Sequence, residues 1–241
     1  MNARSFFYIT FVLFCPLNLI LGQVSEGFIH YEQKTDLQKL RSNNNYPSNS
    51  KSPQFRISDF ILYFNKTESV YQVKEDLLDE KGSNFYNRRN YIMYKNHINK
   101  KGVESRYLLG KQFLISGKYD VLKWKITAES KNVGSFYCQK AIYIDSLQTV
   151  EAWFTPMIPI MSGPADYVGL PGLILHVDID EGTKTITAKE VFLEELEKNL
   201  IVKPTEGKKI SREDFEILQK EKKQELNMNR SRLHKNIKRK G

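Results

Sequence analysis

Along "LILHVDID", Leu173, Leu175, Val177 and Ile179 alternate with His176, Asp178 and Asp180. A period of two is what a half-buried β-strand demands, and it sets the two groups on opposite faces of a sheet. The same period returns at short intervals. "GFIHYEQK" from Gly27 alternates, and "FILYFNKTESVYQV" is two aromatic, β-branched runs around Asn65 to Glu68, a predicted hairpin. "YIMY" is a further short strand. "SRYLLGKQFLI" leads to a turn at "SGKYD" and then to "VLKWKITAES", where Leu122, Trp124 and Ile126 share a face. "KNVG" turns that run into "SFYCQKAIYI", with Phe136, Cys138, Ile142 and Ile144 on one face. "TVEAWFTPMIPI" ends in prolines that suit the close of a strand. Nothing alternates strand with helix, which disfavours a doubly wound fold. The predicted class is mainly β: a single curved antiparallel sheet or incomplete β-barrel with a C-terminal helix.

The chain divides into three parts. Arg4 followed by the apolar run Phe6–Phe14, and then "PLNLILG", reads as a secretory signal over residues 1–22, cleaved before Gln23. Beyond it no stretch approaches the roughly 18 apolar residues of a membrane-spanning helix. Residues 23–207 form the predicted β domain, in which Asp36–Gln54, rich in Asn, Ser and Pro, reads as a mobile loop. Residues 208–241 read as a basic helix and tail. Ser211 with Asp214 three residues on resembles a capping box, and Phe215, Leu218, Leu226 and Leu233 make a thin apolar stripe broken by Lys222. This segment holds 12 Lys+Arg against 5 Asp+Glu, a net of +7 out of the chain's +9, so the domain itself is close to neutral. Such a tail suits electrostatic contact with an anionic membrane or partner. Nucleic acid is a poor match for an exported protein without the aromatic-interleaved basic patch of single-strand binders.

Between Ser162 and Ile179 three glycines and two prolines crowd together: Gly163, Pro164, Gly169, Pro171 and Gly172. A phosphate-binding loop needs Gly-Lys-Ser/Thr and a following helix. Here there is no lysine, and a strand follows. The stretch therefore shapes the chain. Leu170-Pro171-Gly172-Leu173 reads as a type II turn with positive φ at Gly172, and Gly163-Pro164 as a second corner.

These residues also carry a resemblance. "GLPGLIL", covering Gly169, Leu170, Pro171, Gly172, Leu173 and Ile174, resembles the signature of the GLPGLI family of exported Bacteroidetes proteins. "LKWKIT", "GSFYCQKA" and "EAWFTPMIPIMSGP" are similar to further elements of that family, in the same order. Over "YIDSLQTV" the chain departs from it, lacking the Gly-Arg that members often carry. The resemblance implies an envelope location, in the periplasm or at the outer membrane, and an association with TonB-dependent transport. It implies no reaction.

Chemistry has few anchors. After signal cleavage Cys138 is the one cysteine, so no internal disulfide forms. Its strand face predicts a small buried hydrophobe in preference to a nucleophile paired with His30, His97 or His176. Asp178, Asp180 and Glu181 lead into a Gly182 turn and read as hairpin carboxylates without the spacing of a calcium loop. Met157 and Met161 are soft ligands of the type that holds Cu(I), although methionines beside Ile158 and Ile160 more often pack. Aromatic side chains crowd the central strands. Most must be core, and Trp124, Trp153, Phe154 and Tyr167 are the candidates to line a cleft in a curved sheet. The expectation is a non-catalytic envelope binding or accessory protein without a cofactor. A carrier of an apolar ligand or soft metal, and a hydrolase, are the alternatives.

Overall fold

In an antiparallel sheet, residues opposite one another share a face, so register follows from which apolar sets must be buried together. The computed structural model describes residues 25–43, 53–74, 91–146 and 148–238. Residues 1–24, where the signal and its cleavage site were expected, lie outside these. The strands are β1 (Gly27–Asp36), β2 (Phe55–Phe64), β3 (Glu68–Val73), β4 (Ile92–Asn96), β5 (Lys101–Leu108) and β6 (Lys111–Lys118). They continue with β7 (Lys125–Val133), β8 (Phe136–Ile144), β9 (Thr149–Thr155), β10 (Leu173–Ile179), β11 (Lys184–Phe192) and β12 (Lys208–Ser211). All join one open 12-stranded sheet in the order β12-β6-β5-β4-β3-β2-β1-β11-β10-β9-β8-β7. It is mainly β as expected, and it does not close into a barrel.

One expectation is corrected. The sheet is mixed, because β12 pairs parallel with β6, from Lys208 opposite Phe113 to Ser211 opposite Ser116. Hairpins make antiparallel neighbours, but β12 arrives from the far side of the sheet after β11 and is free to enter in the other sense. It also puts Lys208–Ser211 in the sheet, so the C-terminal helix, α2 (Arg212–Lys238), begins four residues into the segment read as tail. Its cap is as predicted: the Ser211 hydroxyl accepts from the Asp214 N–H at 3.0 Å. A second correction concerns Asp36–Gln54. Asp36 ends β1 and caps α1 (Leu37–Asn43), its carboxylate accepting from the N–H groups of Gln38 and Lys39 at 2.9 and 3.0 Å. Residues 44–52 lie outside the described ones.

The core is on the inner face. Across the sheet the register sets Tyr31 opposite Phe60 and Leu62 opposite Tyr71. Tyr71 then faces Met93, and Met93 faces Glu104. All six are buried, and each apolar side chain among them contributes about 1.5–3 kcal/mol through its removal from water. At the far end β7 is a charged edge strand. Ile126, predicted to share a face with Leu122 and Trp124, is 44 % exposed, which suits an edge that must resist further pairing.

Over the inner face lies the segment between β9 and β10. Ile158, Ile160, Ser162, Val168 and Leu170 are buried there, so the glycine-rich stretch is core, as well as corner. Its turns are tighter than expected. The Gly172 N–H donates to the Leu170 carbonyl at 2.8 Å, and that of Ile160 to Ile158 at 2.8 Å. These are three-residue γ-turns centred on Pro171 and Pro159, whose fixed φ suits them. A type II turn would send the Leu173 N–H to Leu170. Leu173 donates instead to Ile158 at 3.0 Å, binding the two ends of the segment.

Candidate functional site

Two side chains fasten this inner segment to the rest of the sheet. Lys95 on β4 is almost fully buried and donates to the carbonyl of Ala165. Trp124, ahead of β7, donates its indole N–H to Val168 at 2.9 Å. The sheet therefore curves far enough for strands near both edges to meet the same segment. Burial pulls the Lys95 ammonium down to about 8, against the pull of Asp166 and Glu104.

Beneath and beside the segment a cavity of about 520 Å³ opens on the inner face. Its apolar wall is Phe60, Tyr71, Tyr91 and Tyr167. Phe60 stacks on Tyr71 at 4.8 Å, with rings 9° from parallel, and Tyr91 meets both edge-on at 6.2 and 6.3 Å. The Tyr71 hydroxyl is buried without a hydrogen-bond partner among the described residues. Arg106, Lys184 and Asp166 are the charged residues at the wall. Arg106 is held between two rings, its guanidinium 5.7 Å from Tyr91 and 5.6 Å from Phe215 of α2. It pairs with Glu104, which is 1 % exposed and also lies 3.6 Å from Arg212. Burial raises the Glu104 carboxyl above its ordinary range although both arginines pull it back. Burial also lowers the Lys184 ammonium.

Of the four aromatic candidates from sequence, the structure brings one to the cavity. Tyr167 lines it. Trp153 and Phe154 are neighbours on β9 and so point to opposite faces. Phe154 is sealed in the core at 1 % exposure, while Trp153 carries the Lys131 ammonium 4.0 Å over its ring. Trp124 is half-buried beside Tyr143, spent on holding Val168. Sequence reasoning missed Phe60, Tyr71, Tyr91, Arg106 and Lys184. The inward alternation of "FILYF" and "VYQV" pointed at the first two. Nothing local marked the charged pair.

The remaining candidates have other duties. Cys138 is fully buried, its thiol pushed up to about 11 by desolvation, which is the inert hydrophobe expected. His176 bonds Thr187 at 2.8 Å and His30 pairs with Glu190 at 2.6 Å. Asp178 accepts from the Gly182 N–H at 2.6 Å, the hairpin chemistry predicted, while Asp180 reaches across to β9 and accepts from the Thr149 N–H at 2.9 Å, and Glu181 is exposed with its carbonyl accepting from Lys39 at 2.6 Å. Met157 and Met161 are 62 % and 54 % exposed, so neither packs in the core as methionines there usually do.

His97 yields a test of this face's energetics. Its ring nitrogens lie 3.1 Å from the Tyr119 hydroxyl and 3.0 Å from that of Ser69. Burial, with Lys95 nearby, holds it at about 4 against an ordinary 6.5. The unfolded chain takes up this proton below 6.5 and the folded one resists, so stability falls as pH drops from 6.5 toward 4. Urea melts should show a loss of about 2–3 kcal/mol across that window from this group. In His97→Gln that share of the slope should vanish.

The architecture is an open mixed sheet wrapped around an inserted segment, with a ring-lined cavity beside it. A family model described as "Protein of unknown function (Porph_ging)" matches residues 144–176, from the end of β8 through the inner segment into β10. No curated protein matches. Among solved structures, PNGF-II in its C2 and P21 crystals is similar, with TM-scores of 0.54 and 0.53 and 13 % identity in each. Each comparison covers 80 % of this chain and 32 % of PNGF-II, so the chain spans about a third of the length of the structures it matches. At that identity the likeness is one of fold.

Proposed function

We propose that this chain is an exported binding protein of the cell envelope that holds a small ligand in its inner-face cavity and performs no reaction on it. The cavity carries this reading. At about 520 Å³ it falls within the size of small-molecule sites, and its wall combines aromatic rings with a few polar groups. The signal-like N-terminus supports export. The GLPGLI resemblance supports an envelope partner, of which a TonB-dependent receptor is the one it implies. The basic α2 supplies a surface for such contact.

Protein isolated from the native envelope should begin within a few residues of Gln23 and release a small molecule near one per chain on denaturation. A ligand held at a hundredfold its Kd adds about 2.7 kcal/mol, so the native isolate should melt above a refolded, stripped sample. An intact Met1 in the cytosol would contradict export. Identical melts with nothing released would contradict binding.

A further inference from the structure

Charge on the inner face is unbalanced. Among the described residues, Lys95, Arg106, Lys184 and Arg212 stand against the carboxylates Glu104 and Asp166. Glu104 is taken by the two arginines, and Lys95 is taken by the Ala165 carbonyl. The Lys184 ammonium forms no ion pair or hydrogen bond among the described residues, although the residue is partly buried at the cavity wall. Asp166 is exposed and forms no ion pair among the described residues. Asp166 attracts the Lys184 ammonium, but from an exposed position, and the loss of water outweighs it, so a ligand that brings an anion into the cavity offsets a cost that Asp166 does not. Arg106 is fixed in orientation by Tyr91 and Phe215, so it meets an oxyanion without first being ordered. At the wall itself Arg106 and Lys184 stand against Asp166, a net of one positive charge among the described residues, so the site suits one negative charge. The several charges of a polyphosphate would be underpaired. The rest of the wall is rings, and the Tyr71 hydroxyl is a polar group still without a partner among the described residues.

Resting on the binding-protein reading above, we propose that the cavity takes an amphipathic monoanion. Its carboxylate sits against Lys184 and Arg106, and its apolar, ring-sized body lies on Phe60, Tyr71 and Tyr91.

The test is calorimetric titration of the mature protein with 2-naphthaleneacetate and with its neutral amide, which share the same body. The acid should bind about tenfold or more tightly than the amide, the scale of a charge-assisted contact. Lys184→Met should cut that preference several-fold, and Lys184→Arg should keep it. A thermal melt of each variant confirms that the fold is intact. Equal affinity for acid and amide in the unaltered protein would overturn the anion assignment and leave the binding reading standing. The anion assignment alone also falls if neither probe binds while the native isolate carries a ligand. If neither binds and the native isolate is empty, both readings fall.

Discussion

Gly172→Ala is expected to cost about 3–5 kcal/mol, because overpacking and backbone strain coincide there. A Cβ at this position would sit 2.2 Å from the Thr155 carbonyl oxygen and 2.7 Å from its carbon, and φ is +156°. These atoms belong to β9, so the neighbour that must yield is backbone already paired in the sheet. The ordinary gain from replacing glycine, up to about 1 kcal/mol through the unfolded chain, is far too small to offset this. Gly163 is constrained in a similar way, with the Tyr167 carbonyl at 2.5 Å and Ile174 Cβ at 2.8 Å. Together they let the inner segment lie flat against β9 and β10. Chemical denaturation measures the cost directly. A Gly172→Ala protein as stable as its parent would mean the segment does not lie against Thr155.

The second large effect divides α2. Phe215 is 2 % exposed and packs with Phe113, at 5.5 Å edge-on, and with Ile115, while Leu218 adds to the same cluster. Phe215→Ala should therefore remove about 3–5 kcal/mol, the usual range for emptying a buried phenylalanine site. It should also loosen Arg106, which loses one of its two rings. Ending the chain after Lys220 retains the whole cluster and should leave the melting temperature nearly unchanged. That truncation removes eight Lys+Arg and two Glu, a net of +6. Any association with anionic membranes should weaken accordingly and lose its dependence on ionic strength. A truncated chain that cannot fold would make the distal helix part of the core. A Phe215→Ala protein with an unshifted melt would mean that α2 merely rests on the sheet.

The inner-face cavity ties these results to function, since the same segments that hold the fold also build its wall. Tyr167 belongs to the segment that Gly172 and Gly163 allow to pack, and Arg106 is clamped by the helix that Phe215 anchors. A loss of packing at either place should therefore appear in ligand affinity before the sheet unfolds, because a loosened wall must be ordered again at each binding event.

What the sequence determined by itself is what local chemistry dictates. Period-two runs made strands of Gly27–Asp36, Phe55–Phe64 and Leu173–Ile179, since a side chain on a strand has only two faces to choose between. Asn65 turned the hairpin, its side chain accepting from the N–H groups of Thr67 and Glu68 at 2.8 Å each. Ser211 capped α2, and Cys138 was legible as buried. Where a local rule met a tertiary one, the tertiary rule won. Ala141, in preference to Ile142, entered the core beside Ala152, and Ile144 stayed 69 % exposed near the edge. Leu173 gave its N–H to Ile158, across the segment, and Pro171 was left with a γ-turn. The cavity belongs wholly to this second kind. Arg106 and Lys184 are 78 positions apart, on strands separated by β4, β3, β2 and β1. Each is an ordinary charged residue in its own strand, and only the order and curvature of the sheet, fixed by pairings between distant segments, bring both to Phe60, Tyr71 and Tyr91.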